Sequence, residues 1–293
     1  MENKFIGILA GVAVYTIYGL NTVFCKDLTN SNLVSPAVLF SIRTGGAALL
    51  FWILSFFLPK ERMNARELLL AFLASSLCII IPQYSTLIGI TMSTPYDASM
   101  VATLKPVLTM IVAFMLGREC FRFKLILGVL VTFAGAVILL MKPFDGQAAF
   151  STSLSGFLIL LMNGVSVAFY FVLFRDFISR HKIVTLMKWM FLFSFLISLV
   201  VAFPQLSQTR FSSFDAGMMR EIAFLVLFAT FISYFLMPLG QRNLTSTQYS
   251  LFSYVQCIVA ALAGTIMGLE SLDAQKLLAS VFFIAGVAIV RRA

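Results

Sequence analysis

The sequence predicts an all-α membrane protein with ten transmembrane helices arranged as two inverted five-helix repeats. Three observations carry this expectation: a composition too apolar for a water-facing surface, ten stretches long enough to cross a bilayer, and an internal repeat at an offset of 151 positions. Of 293 residues, 60% are hydrophobic and 11% are charged, against about 25% charged in soluble domains. Lipid must therefore be the solvent for most of the surface.

A transmembrane helix needs about 20 mainly apolar residues to cross a hydrocarbon core of about 30 Å. Such stretches lie near 5–25, 36–58, 68–88, 98–117, 123–141, 155–174, 184–203, 221–240, 247–268 and 274–290. The first lacks a small-residue cleavage site and reads as a helix rather than a secretory signal. The net charge is +9, and its distribution explains it. With the N-terminus in the cytoplasm, thirteen Lys and Arg residues fall in connectors on that side. The far side holds five: Lys26, Lys142, Arg210, Arg220 and Lys276. This positive-inside bias predicts both termini in the cytoplasm, and it makes the basic excess a topology signal rather than a nucleic-acid surface. Cys25, Cys78, Cys120 and Cys257 lack metal-ligand spacing, so neither a metal, a cofactor nor a disulfide framework is expected.

Setting 68–142 against 219–293 puts Gly89 on Gly240, Gly117 on Gly268, Glu119 on Glu270, Ala134 on Ala285 and Gly135 on Gly286. Earlier, Lys26-Asp27 follows the first helix as Arg175-Asp176 follows the sixth, and the same alignment sets Gly7 on Gly156. The chain therefore divides into repeats at 1–147 and 148–293. Five helices is an odd number, so the second repeat enters from the opposite side. Inverted repeats create a pseudo-two-fold axis in the membrane plane and a site near the midplane, the frame that alternating access requires.

The residues resemble the drug/metabolite transporter superfamily in its EamA-type ten-helix form. Gly19-Leu20-Asn21 with Lys26 is similar to that family's opening segment, and Pro36 to Arg43 to its second helix. Ala98-Ser99 through Lys105-Pro106-Val107 to Gly117-Arg118-Glu119, then Gly128 and Gly135, resembles its fourth and fifth helices, repeated from Ser250 through Glu270 to Gly286. Cys257 departs from the pattern, standing where the second copy usually has the proline matching Pro106. The resemblance implies a permease, with export as its direction.

Arg43, Lys105 and Lys188 fall inside the expected helices. A charge near the bilayer centre costs at least about 2.5–3.5 kcal/mol and normally faces a cavity or a partner. Arg43 lies seven residues after Pro36 and Lys105 seven after Ala98, roughly 10 Å below the same face at 1.5 Å per residue. The functional reading has both attracting an anionic substrate group. The alternative has Arg43 paired with carbonyls or with Asp97, or snorkelling outward. Lys188, near a helix end, reads as snorkelling. Asn21, Gln83, Tyr84, Tyr234, Tyr254 and Gln256 complete the candidate substrate site, with Asn163, Tyr170 and Ser250 behind them. Gln256 is the repeat equivalent of Lys105, and Tyr234 that of Gln83. Interhelical hydrogen bonding competes with ligand contact as their role. Pro106, Pro82 and Pro238 each free a backbone carbonyl. Glu119 and Glu270 stand at helix C-termini, where the macrodipole disfavours a carboxylate, and read as gate or repeat-interface residues with specific partners.

No carboxylate falls in the middle of an expected helix, which argues against proton-coupled multidrug export. An intramembrane enzyme would need a G-x-S-x-G or H-E-x-x-H pattern; neither occurs, and the single histidine, His181, lies in a basic loop. The expected function is transport of a small anionic or zwitterionic metabolite, such as an amino acid, with the lipid bilayer and the substrate as partners. Homodimerisation and a non-transporting receptor role are the open alternatives.

Overall fold

The computed structural model describes residues 2–59, 61–117, 123–140, 152–244, 249, 252–271 and 274–291. Glu119 and Ser250 lie outside the described residues. Helix α1 spans Glu2–Asn30. Ser35 accepts from the Val38 amide and Pro36 occupies the first turn, starting α2 at Pro36–Phe56, because proline at that position sacrifices no helical hydrogen bond. A reciprocal Asn64–Glu67 capping box opens α3 (Ala65–Ser75), which continues through a π-helical segment, Ser76–Ile80, into α4 (Ile81–Thr91). Thr94 and Pro95 start α5 (Pro95–Ala102), and α6 follows at Lys105–Met115. Helix α7 is Phe123–Leu140.

The second half repeats the plan. Ser153 caps α8 (Leu154–Leu173), followed by the short α9 (Arg175–Arg180) and the long α10 (Ile183–Leu206). Asp215 caps α11 (Ala216–Phe224), which runs through a second π-helical segment, Leu225–Ile232, into α12 (Ser233–Asn243). Helices α13 (Ser253–Ile266) and α14 (Ala274–Arg291) complete the described chain. No strand occurs among the described residues. Seven stretches among them are long and apolar enough to cross a membrane, with shorter apolar helices besides. Lipid-facing side chains such as Val200, Phe203 and Ile266 stand exposed, as a bilayer solvent requires.

Packing follows the repeat. Helix α1 lies against α12 and α13, and its counterpart α8 lies against α4 and α6. Helix α2 packs on its repeat mate α10 and α7 on its mate α14, while α5 packs on α13. Helix α2 also meets the Leu225–Ile232 segment, as α10 meets α3 and the Ser76–Ile80 segment. Gly117 and Gly268, 151 positions apart, close α6 and α13 with φ of 66° and 67°, a left-handed conformation that only glycine adopts without strain. At Gly45 and Gly46 the reason is approach: an added Cβ meets Phe195 at 2.6 Å and Val226 at 2.5 Å.

Two large apolar clusters fill most of the described interior, with a smaller one around Val112, Ala113, Ala168 and Val172. Along α1, Val14 and Tyr15 belong to one and Cys25 and Leu28 to the other, with Asn21 and Thr22 between. Along α2, Arg43 and Thr44 separate Val38–Phe40 from Ala47 and Phe51. Gln83 divides Ile79 from Leu87, Asn163 divides Leu160 from Tyr170, and Thr230 divides Ala229 from Tyr234. Five helices thus place polar groups at the changeover between clusters. That belt is the site.

Candidate functional site

The belt lines a cleft with about 650 Å³ of space between atoms, solvent at its mouth included. Repeat-equivalent positions meet there. Gln83 and Tyr234, Thr86 and Met237, and Lys105 and Gln256 each stand 151 apart, and Tyr18 and Val167, and Thr22 and Phe171, stand 149 apart. All ten line the cleft. Gln83 and Tyr234 touch directly, the Gln83 Nε2 donating to the tyrosine oxygen at 3.2 Å.

Proline chemistry builds this contact. Pro82 has no N–H for a carbonyl in the preceding turn. The Ile81 amide bonds Ser76 across the π-helical segment, leaving Leu77 and Cys78 to find partners elsewhere. Ser166 Oγ donates to the Leu77 oxygen at 2.9 Å, and Tyr234 OH donates to the Cys78 oxygen at 3.2 Å. Asn163 Nδ2 donates to the Pro82 oxygen and to Thr86 Oγ1 at 3.0 and 2.7 Å. The second repeat supplies both the closure of the broken helix and one wall of the cleft.

Lys105 sits where the fourth transmembrane segment breaks. Thr103 and Leu104 form tight turns, their amides bonding Met100 and Val101, before α6 restarts with Pro106 in its first turn. The Lys105 side chain is 7% exposed, and its ammonium lies 5.9 Å from the Tyr15 ring centroid. No hydrogen bond or ion pair reaches it among the described residues. Arg43 is 3% exposed. Its Nε donates to Thr230 Oγ1 at 3.1 Å and an Nη to Cys25 Sγ at 3.4 Å, both neutral partners. The Cys25 thiol contacts Asn21 Oδ1 in turn at 3.7 Å. The alternative pairing of Arg43 with Asp97 does not form: Asp97 instead accepts from Thr152 Oγ1 at 2.6 Å. The cleft therefore holds two buried cations without a carboxylate partner among the described residues. Burying an unpaired charge is costly, and an incoming anion relieves that cost.

The EamA-like transporter family profile matches residues 5–141 and again 154–292. The chain belongs to the EamA-like transporter family. An uncharacterized transporter of Archaeoglobus fulgidus is 22% identical over 196 residues, covering 67% of each chain. The uncharacterized transporter YyaM of Bacillus subtilis is 23% identical over 201 residues, covering 68% of this chain and 65% of its own. The chain thus spans about two thirds of each relative. One solved crystal structure, 16% identical, aligns over 99% of this chain and 98% of its own with a TM-score of 0.66, which shows a shared fold. This EamA-like chain is a multi-pass membrane transporter.

Of the residues expected at the site, Asn21, Arg43, Gln83, Lys105, Tyr234 and Gln256 line the cleft. Two do not. Tyr84 packs on Phe40, ring centroids 5.6 Å apart. Tyr254 lines a separate apolar groove with Tyr96, Met100 and Cys257. Lys188 covers the Trp52 ring at 5.0 Å. Tyr15, Tyr18, Thr22, Thr86 and Met237 line the cleft without having been expected there. Tyr15, Tyr18 and Thr22 share one face of α1, and Thr86 and Met237 are repeat equivalents.

Glu270 is 6% exposed and has partners from both repeats. Lys276 Nζ donates to Oε1, and the Tyr96 amide donates to Oε2 at 2.9 Å. Tyr96 lies in the first turn of α5, so the carboxylate meets the positive end of a helix dipole. That favourable end, together with Lys276, offsets its unfavourable place after α13. On the same side of the fold, Lys26 Nζ donates to the Ile90 oxygen at 3.0 Å, closing the end of α4. Elsewhere, Glu61 holds His181 Nδ1 at 3.1 Å and the Lys182 amide at 3.0 Å, and Arg242 donates to the His181 and Ile178 carbonyls.

Proposed function

We propose that this EamA-like transporter exports a small anionic or zwitterionic metabolite by alternating access about the pseudo-two-fold axis of its repeats. The observation that carries the reading is the pair of buried, carboxylate-free cations, Arg43 and Lys105, in a cleft built from repeat-equivalent positions. Equivalent walls give equivalent states when the halves exchange conformations. Lys105, Arg43, Gln83, Gln256, Tyr234 and Asn21 form the substrate site in this reading. Glu270 acts as a clasp between the repeats in this reading, a role shared by its repeat equivalent in the sequence, Glu119. The repeats are 1–147 and 148–293, the N- and C-termini face the cytoplasm, and the protein works without catalysis.

The test is efflux from proteoliposomes loaded with a small-molecule cell extract, the departing compounds identified by mass spectrometry. Selective, protein-dependent loss of anionic or zwitterionic compounds, reduced by Lys105→Ala, supports the reading. Loss of cationic, lipophilic compounds alone refutes it in favour of drug export. Absence of efflux by folded protein under imposed ion gradients refutes transport of this class.

A further inference from the structure

The cleft's polar groups narrow the substrate further, on the reading that it is the transport site. Both charged groups lining it are cations, and its spare acceptors are neutral. Lys105 offers an ammonium with no bonded partner, and the Arg43 guanidinium has neutral partners only. Gln83 Oε1 and Gln256 Oε1 are buried acceptors with no hydrogen-bond partner. The orientation of Gln83 follows from its neighbours. Tyr234 gives its single hydrogen to the Cys78 carbonyl, so its oxygen must accept, and Gln83 must present its amide nitrogen to it. That leaves the carbonyl oxygen of Gln83, a residue lining the cleft, as a buried and unsatisfied acceptor. Among the described residues, none that lines the cleft is Asp or Glu.

A zwitterion meets this arrangement badly. Its carboxylate finds Lys105 and Arg43, but its ammonium enters a low-dielectric cleft that already holds two positive charges and offers no carboxylate. A hydroxyl group has no such conflict, because it donates to an amide oxygen without adding charge. We infer that the substrate is a small hydroxylated organic anion, its carboxylate or phosphate held by Lys105 and Arg43 and a hydroxyl donated to Gln83 or Gln256. A site that hydrogen-bonds a hydroxyl rejects analogues lacking it, because its own polar groups are then left unpaired.

Matched compounds test this with the full-length protein in proteoliposomes. Malate, succinate and aspartate share one dicarboxylate skeleton bearing a hydroxyl, a hydrogen or an ammonium. Glycerol 3-phosphate supplies the same hydroxylated pattern on a phosphate, separating the two anion sources. The expected result is protein-dependent efflux of malate or glycerol 3-phosphate about tenfold faster than aspartate, with succinate between. Gln256→Leu, which disturbs no hydrogen bond described at the cleft, should bring the malate-to-succinate rate ratio down towards one. Gln83→Leu should act in the same direction. Aspartate moving as fast as malate overturns the hydroxyl inference while leaving transport intact, as does malate moving no faster than succinate. If none of the four compounds moves, the compound lost from the cell extract decides: a hydroxylated anion upholds the inference, and an amino acid or a cation overturns it. No loss from the extract either refutes the transport reading itself.

Discussion

Replacing Lys105 with methionine separates a binding role from a structural one. The residue is 7% exposed, and its charge meets the Tyr15 ring but no carboxylate or hydrogen-bond acceptor among the described residues. Methionine has similar length and no charge, so the exchange leaves no orphaned partner behind. Breaking a buried ion pair usually costs about 3–5 kcal/mol because the remaining charge is stranded; here nothing is stranded. The empty protein should therefore melt at the same temperature or higher, a gain of about 1 kcal/mol appearing as roughly 2–4 °C in a chain of this size. Substrate binding should move the other way. A hydrogen bond to a charged group contributes about 1.5–3 kcal/mol, so the half-saturation concentration should rise roughly ten- to hundredfold. The assays are thermal unfolding in detergent and concentration-dependent efflux from proteoliposomes. A melting temperature many degrees lower would mean that Lys105 holds the fold together, and unchanged half-saturation would mean that substrate never meets it. Either result refutes the reasoning.

Four further outcomes follow from the geometry. Tyr234→Phe removes the donor to the Cys78 carbonyl and should cost about 1–3 kcal/mol, read by thermal unfolding; Ser166→Ala should do the same through Leu77. Glu270→Gln leaves Lys276 buried beside a neutral group and should lower the melting temperature, with Lys276→Met in the same chain restoring most of it; unchanged efflux rates in both variants would remove the gate role of Glu270. Gly46→Leu drives a side chain into Val226, where even a Cβ comes to 2.5 Å, and should destabilise by about 1–3 kcal/mol while Leu49→Ala, on an exposed face, should not. Partial burial pushes the Glu61 carboxyl up, but hydrogen bonds from the Lys182 amide, His181 and Thr185 outweigh it and hold the group below the usual carboxylate range. Its contribution is therefore complete above the unfolded carboxylate's value and is lost as pH falls through the lower folded one. Protection of the Lys182 amide against hydrogen exchange, taken relative to an unstructured amide at the same pH, should fall only in that acid range, and Glu61→Gln should remove the dependence.

The membrane class and the helices were legible because lipid selects composition directly. The caps Ser35-Pro36 and Asn64 with Glu67 fix where α2 and α3 begin. The repeat offset singled out Gln83 and Tyr234 as equivalent positions, and the two touch. The misplacements have a rotational cause. A helix turns about 100° per residue, so Tyr84 faces away from the cleft that Gln83 lines, and Tyr254, two positions from Gln256, points to the opposite side of α13. Polarity alone could not tell these faces apart. Tyr15, Tyr18 and Thr22, by contrast, follow the i, i+3, i+7 spacing of one helical face, hidden because tyrosine reads equally well as core. The π-helical segments at Ser76–Ile80 and Leu225–Ile232 lie within continuous apolar runs, where widening by one residue leaves no mark on composition. The partners of Glu270 were likewise beyond reach, since a backbone amide 174 positions away carries no sequence signal.

The central claim is that one cleft, walled by equivalent residues of two repeats, opens to each side of the membrane in turn. The most direct test places single cysteines at Thr86 and Met237, which are repeat-equivalent and line the cleft, in a chain whose four native cysteines have been replaced. A membrane-impermeant thiol reagent is then applied from one face of sealed vesicles or from the other. The account predicts that both positions react from both faces, and that a transported anion slows the reaction at each. Labelling confined to a single face, whatever the substrate present, would contradict it.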